Sequence, residues 1–410
     1  MARWFAVLAS CLALPSAAQA STLVYTDGGD VWAADMDDGS VHRVTTDGSA
    51  ANPYRSPSQA DDGTIVAVRG RADEARLYRF DQGGNRLNTP FETAAPTTGP
   101  LDPQVSPDGK LVTYYAATIV DGCGPFYTCP DTATAIQYTA ADRFTKPDQY
   151  GDAGGFAHPS WIDDARTLVF SNGAWIHQVG QDNSTQWIPN DSYNDATEEA
   201  KFRNMTEGDI SRDGRRVAVV LSHYQDRTGF LQLYRPEGDF TKAPAWTCRI
   251  KSADGSLNGI FSDPTWSPDG SQLAWAETDG IHIAGIDDTT CAITNAMTLP
   301  GQEPDWGPAG YSPPAAPPVL AKVKVAAKTI TFTVSELSAV IFKFQRKVGG
   351  GYKAVKGKVQ MAATAGANTL KWKGKVGGRT LPKGTYRVTG VSVSFTGVQS
   401  KPVRRTYVKR

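Results

Sequence analysis

Histidine and cysteine are both scarce, at five residues each in a chain of 410. His42, His158, His177, His223 and His282 lie far apart, and no His-x3-His pair offers a helical metal signature. No Gly-x-Ser-x-Gly elbow occurs, and no hydrolase domain follows the repeats described below, which argues against a serine hydrolase built on such an elbow. Beyond the N-terminal leader, no stretch approaches the ~20 apolar residues that a membrane span needs. No cofactor fingerprint is present, and no metal site or catalytic residue is assigned. Charge is balanced overall, with 42 bases against 42 acids.

Residues 1–20 carry Arg3, an apolar run from Trp4 to Leu14, and Ala18-Gln19-Ala20, which together read as a secretory signal cleaved before Ser21. Leu8-Ala9-Ser10-Cys11 also fits a lipidation pattern, although it leaves only ten residues ahead of Cys11. The mature chain is expected to be exported, either secreted or periplasmic and associated with the cell envelope. An oxidising compartment then makes disulfides of Cys123 with Cys129, across a short loop, and of Cys248 with Cys291, between two neighbouring repeats. The alternative is four thiols.

What recurs is a hairpin. Asp263 to Trp275 reads Asp-Pro-Thr-Trp-Ser-Pro-Asp-Gly-Ser-Gln-Leu-Ala-Trp, in which Pro268 presets the turn and Gly270 takes the left-handed exit. Partial copies start near Asn52, Leu101, His158, Asp209 and Glu303, and the last stops after one strand. Aligned at residues 53, 103, 159, 209, 264 and 304, the copies step by 50, 56, 50, 55 and 40 residues. Such a period, with four strands per unit, fits propeller blades. Leu23 to Tyr25, Val31 to Ala34 and Val41 to Val44 give three strands with no inner strand ahead of them. Pro304 to Trp306 is expected to supply it, closing a ring of six.

The segment Pro264 to Trp275 resembles the TolB-type β-propeller repeat, a relative of WD repeats, over about Ser21 to Pro308. The resemblance implies a propeller that binds partner proteins or stands beside a catalytic domain. Neither role follows from the motif alone.

From residue 312 the composition changes. Ser312 to Pro318 is a stiff proline-rich linker. Alternation in Ile330-Phe332-Val334 and Val340-Phe342-Phe344, with turns at Gly349 to Gly351 and Gly377-Gly378, points to a small β-sandwich. Leu370 to Tyr386, with Trp372, Gly374, Gly378, Leu381 and Gly384, resembles the immunoglobulin-like module of flagellar hook-capping proteins, which implies an accessory role. The expected organisation is all-β: signal 1–20, six-bladed propeller 21–311, linker 312–318, and basic immunoglobulin-like sandwich 319–410.

Charge divides sharply between these parts. Residues 315–410 hold 20 bases and one acid, Glu336, for a net +19, whereas the mature chain before them holds 21 bases and 41 acids, for a net −20. Lys371, Lys373, Lys375, Arg379, Arg404, Arg405, Lys409 and Arg410 are therefore candidates for holding an anionic envelope polymer or a membrane surface. The alternative is a solvated surface, or attraction between the two domains. Nucleic acid is not expected as a partner outside the cell.

Acidic clusters at Asp35 to Asp38 and Asp287-Asp288 lack calcium-loop spacing and read as turn formers. Asp108, Asp213 and Asp269 fall in equivalent turns, which favours a folding role. His158 precedes the first strand of its copy, within reach of a central channel, although a lone histidine is more often structural. Two functions fit: an exported noncatalytic binding or scaffolding protein, with the propeller recognising a protein and the basic module attaching, or a hydrolase or lyase acting on an anionic glycan at the channel mouth.

Overall fold

A computed structural model describes residues 21–410 except 71–73, 88–89, 91–96, 121–130, 142–151, 191–202, 224–225, 237, 253–257, 288, 314–316, 336 and 395–397. The leader, Cys123 and Cys129 lie outside the described residues. Every strand-length element among the described residues is β, and the contacts divide the chain into two units between Pro313 and Pro314.

Turn chemistry sets the hairpins of the first unit. At Ser267 to Gly270 the serine hydroxyl donates to Asp269 Oδ1 at 2.7 Å, and Gly270 takes a φ of 69°. Ser106 to Asp108 and Ser211 to Asp213 repeat that bond at 2.8 and 2.6 Å. The Gly270 conformation favours glycine, whereas the space does not exclude a Cβ, which would meet only the mobile end of Arg216 at 2.9 Å. Asp35, Asp38 and Asp287 likewise accept from backbone N–H groups two residues on, as turn formers do.

Chain order gives six small antiparallel sheets. The first holds β1 (Thr22–Asp27), β2 (Asp30–Asp35) and β3 (Val41–Arg43). The second holds β4 (Tyr54–Gln59), β5 (Ile65–Arg69) and β6 (Arg76–Phe80). The third runs β7 (Thr97–Val105), β8 (Leu111–Val120), β9 (Asp131–Ala140), β10 (Asp152–Gly154), and the fourth β11 (Ala157–Asp163), β12 (Arg166–Phe170), β13 (Gly173–Gln178), β14 (Ser184–Pro189). The fifth runs β15 (Arg203–Ile210), β16 (Val217–His223), β17 (Gly229–Arg235), β18 (Ala245–Ile250), and the sixth β19 (Ser262–Trp266), β20 (Gln272–Glu277), β21 (Gly280–Ile286), β22 (Ile293–Leu299). β23 (Gln302–Gly307) pairs with β1, placing Trp306 opposite Leu23 and completing the first sheet.

The middle strands show why the sheets stack side by side. Val217 to Leu221 is buried without alternation because both faces of its sheet are covered. Val217, Val219 and Leu221 share a core with Leu168 and Phe170 of the fourth sheet, whereas Ala218 and Val220 share one with Trp266 and Leu273 of the sixth. Each large aliphatic side chain so buried contributes roughly 1.5–3 kcal/mol.

First strands form a closed ring: β4, β7, β11, β15, β19 and β23 each pack on the next, and β23 packs on β4. One position in each strand makes the joint. Asp305 accepts from Gln59 N at 2.7 Å, Ser58 from Val105 N at 3.1 Å, Asp209 from Trp266 N at 2.9 Å, and Thr265 from Trp306 N at 3.1 Å. Between the third and fourth sheets the Trp161 indole donates to the Gln104 carbonyl at 2.8 Å. Between the fourth and fifth, Ser160 donates to Asp209 at 2.7 Å.

The second unit packs two sheets on one core. β24 (Leu320–Val325), β25 (Thr329–Val334) and β29 (Gly366–Lys371) form one. β26 (Ser338–Val348), β27 (Gly351–Ala354), β28 (Val359–Ala363), β32 (Gly384–Ser394) and β33 (Val403–Lys409) form the other, with β30 (Lys375–Val376) and β31 (Arg379–Thr380) as a separate hairpin. Phe332, Phe342, Phe344, Trp372 and Tyr386 fill the core, and the Tyr386 hydroxyl donates to the Pro382 carbonyl at 2.6 Å.

Cys248 of β18 and Cys291 are joined by a disulfide, which staples the fifth sheet to the sixth. Cys291 sits in the turn before β22, with a φ of 56°, and not in the outer strand itself. Closing a loop with a sequence separation of 43 stabilises by about 4 kcal/mol in the chain-entropy model. Replacing both cysteines with alanine is expected to lower the unfolding free energy by about 3–4 kcal/mol in chemical denaturation. An unchanged denaturation midpoint and slope would contradict it.

Candidate functional site

The ring determines what faces its axis. Five of the first strands, β4, β7, β11, β19 and β23, break register at the same place, and β15 breaks it just ahead, between Met205 and Glu207. At the shared place the chain reads Ser56-Pro57, Asp102-Pro103, His158-Pro159, Asp263-Pro264 and Glu303-Pro304, and the equivalent pair in β15, Glu207-Gly208, is held in register with β16. Proline is tolerated because these are edge strands at a bulge, where no ladder hydrogen bond is lost. Five of the residues preceding it take positive φ: Ser56 at 44°, Asp102 at 45°, His158 at 49°, Asp263 at 49° and Glu303 at 54°. Such values are costly for non-glycine residues. Gly208 replaces proline because a Cβ there would lie 2.4 Å from the Ala218 carbonyl oxygen.

Alignment of the copies at Pro53 and Asp209 is thereby corrected. The equivalent residues are Pro57 and Gly208, since the bulge and not the start of the strand is the repeated landmark.

These side chains line a narrow axial well of about 50 Å³. His158 is in it, together with six carboxylates: Asp102, Glu207, Asp263 and Glu303 near the mouth, and Asp209 and Asp305 deeper. A second space of about 40 Å³ lies beyond Asp209 and Asp305 and is lined by Arg212, which pairs with Asp61 at 2.9 Å. A wider groove of about 520 Å³ meets the well at Glu303 and is lined by Arg55, Tyr54 and Asp279.

Electrostatics in the well are crowded. His158 Nδ1 lies 2.9 Å from Asp102 Oδ2. Burial works against the imidazolium, but the Asp102 hydrogen bond and the charges of Asp102, Glu207 and Asp263 outweigh it, and the pKa rises to about 9. Burial pushes Asp263 well above the usual carboxylate range, reinforced by Glu207, Glu303 and Asp102. Glu207, Glu303 and Asp209 are raised for the same first reason, against hydrogen bonds that favour the charged form. Asp305 is raised to about 6 by burial, despite donors at Ser58 and Gln59. The arrangement suits a cation, whose entry would stabilise every carboxylate.

The remaining sequence candidates are scattered. Arg404 and Arg405 project to opposite faces of β33, and Arg405 donates to the Val323 carbonyl at 3.1 Å. Lys409 donates to the Leu381 carbonyl at 2.5 Å. Lys371, Lys373, Lys375 and Arg379 are exposed around β29 to β31, and Arg410 is exposed at the end. Glu277, Asp279 and His282 form a surface trio that sequence reading missed, with His282 Nε2 2.8 Å from Asp279 Oδ1. The mouth carboxylates were also missed. A polar residue ahead of proline in successive copies was their only signal.

No protein-family model matches the chain, and no curated protein matches it. Solved structures similar to it include TolB-like and propeller-fold proteins. A putative TolB from Agrobacterium tumefaciens is 14% identical with a TM-score of 0.42, over 69% of this chain and 91% of that one. An oligogalacturonate lyase from Vibrio parahaemolyticus is 10% identical with a TM-score of 0.41, over 66% of this chain and 71% of that one. A prolyl endopeptidase is 14% identical with a TM-score of 0.39 over 87% of this chain, which spans 49% of that protein. At this level of similarity the activities of those proteins are theirs alone.

Raised carboxylates fix a pH dependence. The folded unit binds more protons than the unfolded chain between the ordinary carboxylate pKa and the raised one, so stability falls as pH rises through about 6. His158 adds to the same slope, because its contribution is present below the ordinary histidine pKa and is lost as pH rises through about 9. Turn aspartates such as Asp269, held below the usual range by their donors although burial opposes it, lose stability only in stronger acid. Stability should therefore peak in mild acid. Asp305→Asn is expected to gain about 1–3 kcal/mol at pH 8 and little at pH 4.5, read from denaturation at both values. An equal effect at the two would refute the raised pKa.

Proposed function

We propose that the chain is an exported, noncatalytic binding protein, in which the axial well receives a cationic group from a partner and the basic second unit attaches the protein to an anionic polymer. The carrying observation is the convergence of six carboxylates and a single imidazole in a well of about 50 Å³. That volume accommodates a few waters or one ammonium or guanidinium head. The adjoining groove of about 520 Å³ gives room for the protein segment that carries it. In this reading residues 21–311 are a six-bladed β-propeller, supported by six sheets around a closed ring with the first sheet completed by β23. Residues 312–318 link it to an immunoglobulin-like sandwich at 319–410, supported by two sheets on one core and a tyrosine closing on backbone just upstream. The Cys248–Cys291 disulfide is compatible with export to a secreted or periplasmic location.

A second reading, a hydrolase or lyase acting on an anionic glycan, draws on one observation. Carboxyls with raised pKa beside a histidine are the equipment of general acid–base catalysis. The sign of the well opposes it, because six carboxylates repel a polyanion. A peptide bearing a free lysine is expected to bind the full chain at pH 7 at least about tenfold more tightly than its acetyl-lysine counterpart, and Asp263→Asn should erase most of that preference. Equal binding of the two peptides would sink the cation reading. Turnover of an acidic glycan would establish the other.

A further inference from the structure

The outer face of the second unit's larger sheet carries an ordered line of cations. Along β26, Val340, Phe342 and Phe344 are buried, so Lys343, Gln345 and Lys347 project from the opposite face. Along β32 the buried set is Tyr386, Val388 and Gly390, leaving Arg387 and Thr389 outward. On β33, Tyr407 is buried, and Arg404 and Thr406 point outward. Register places Gln345 opposite Arg387 and Arg387 opposite Thr406, with Lys343 opposite Thr389 and Thr389 opposite Arg404.

Lys347, Arg387 and Arg404 therefore step one strand across and two residues along at each move. With strands ~4.8 Å apart and ~3.4 Å per residue, their backbone positions lie on one diagonal at intervals of about 8 Å, and the Arg387 guanidinium reaches across β26 to lie over Tyr352, beside Lys347. Lys343 flanks the line at a similar distance from Arg387. None of the four has a carboxylate partner among the described residues, and residues 315–410 contain a single acid, Glu336. Thr389, Thr406 and Gln345 fill the gaps with neutral hydrogen-bonding groups.

We propose that this diagonal is a docking track for one extended acidic polysaccharide, running obliquely across β26, β32 and β33 with its anions on Lys347, Arg387 and Arg404. The inference rests on the attachment role of the second unit and gives that role an address. Charge complementarity selects a polyanion. The oblique course across three strands and the intervening hydroxyls suit a hydroxyl-rich polymer better than a lipid surface. Stacking of nucleic-acid bases is disfavoured because Tyr352, opposite Lys347, is already covered by the Arg387 guanidinium at 4.0 Å.

The test uses the full chain with dextran sulfate as probe and neutral dextran as blank. The parent is expected to bind dextran sulfate in 0.1 M salt and release it toward 1 M, as the screening length falls from ~10 to ~3 Å. Replacing Lys347, Arg387 and Arg404 together with glutamine should weaken binding at least about tenfold, and Arg404→Gln alone about fivefold. A charge-matched control on β24 and the turn after it, Lys322→Gln with Lys324→Gln and Lys328→Gln, should change it no more than about twofold. Equal losses in the two triples would overturn the track while leaving attachment by overall charge standing. Failure of the parent to bind would remove both. Retention on anionic lipid vesicles with no binding to dextran sulfate would overturn the polysaccharide in favour of a membrane.

Discussion

Everything in the first unit hangs on the contact between one first strand and the next. Four of the six joints are a side-chain oxygen accepting from a backbone N–H of the following strand: Asp305 to Gln59, Ser58 to Val105, Asp209 to Trp266 and Thr265 to Trp306. The remaining two use Trp161 and Ser160. Edge strands expose unpaired N–H groups that cost free energy when buried. Here a short polar side chain from the neighbour meets that need, so each sheet is completed only by the one beside it.

The same constraint generates the site. A strand that must bring one side chain sideways to its neighbour bulges, and the bulge turns the preceding residue toward the axis. Positive φ at Ser56, Asp102, His158, Asp263 and Glu303 is the local consequence. Acids at those positions gather without being near in sequence. Burial and mutual repulsion then raise their pKa values, and His158 is held charged in response. The well is thus destabilising in the empty protein at neutral pH, a cost that a bound cation would offset.

Much of this architecture was legible in the residues. Ser-Pro-Asp-Gly turns, their period, the orphan strand at Pro304 to Trp306 and the composition change at residue 312 follow from local chemistry. What misled was the second copy, where Pro53 and Pro57 compete as landmarks, and the fifth, where close approach to Ala218 demands Gly208 in place of proline. The acids could not be read as a cluster, because convergence across sheets leaves no spacing in the chain. The diagonal on the second unit was hidden for a related reason. Alternation around Phe342 and Phe344 marks Lys343 and Lys347 as outward, but their alignment with Arg387 and Arg404 depends on register across three strands.

A cation entering the well would displace protons that its buried carboxyls hold. Calorimetric titration of a lysine-bearing peptide into the full chain at pH 6, in buffers of different ionisation enthalpy, counts those protons directly. Net proton release on binding, diminished in Asp305→Asn, is the predicted result. Binding with no proton release, or with uptake, would contradict a cation-receiving well.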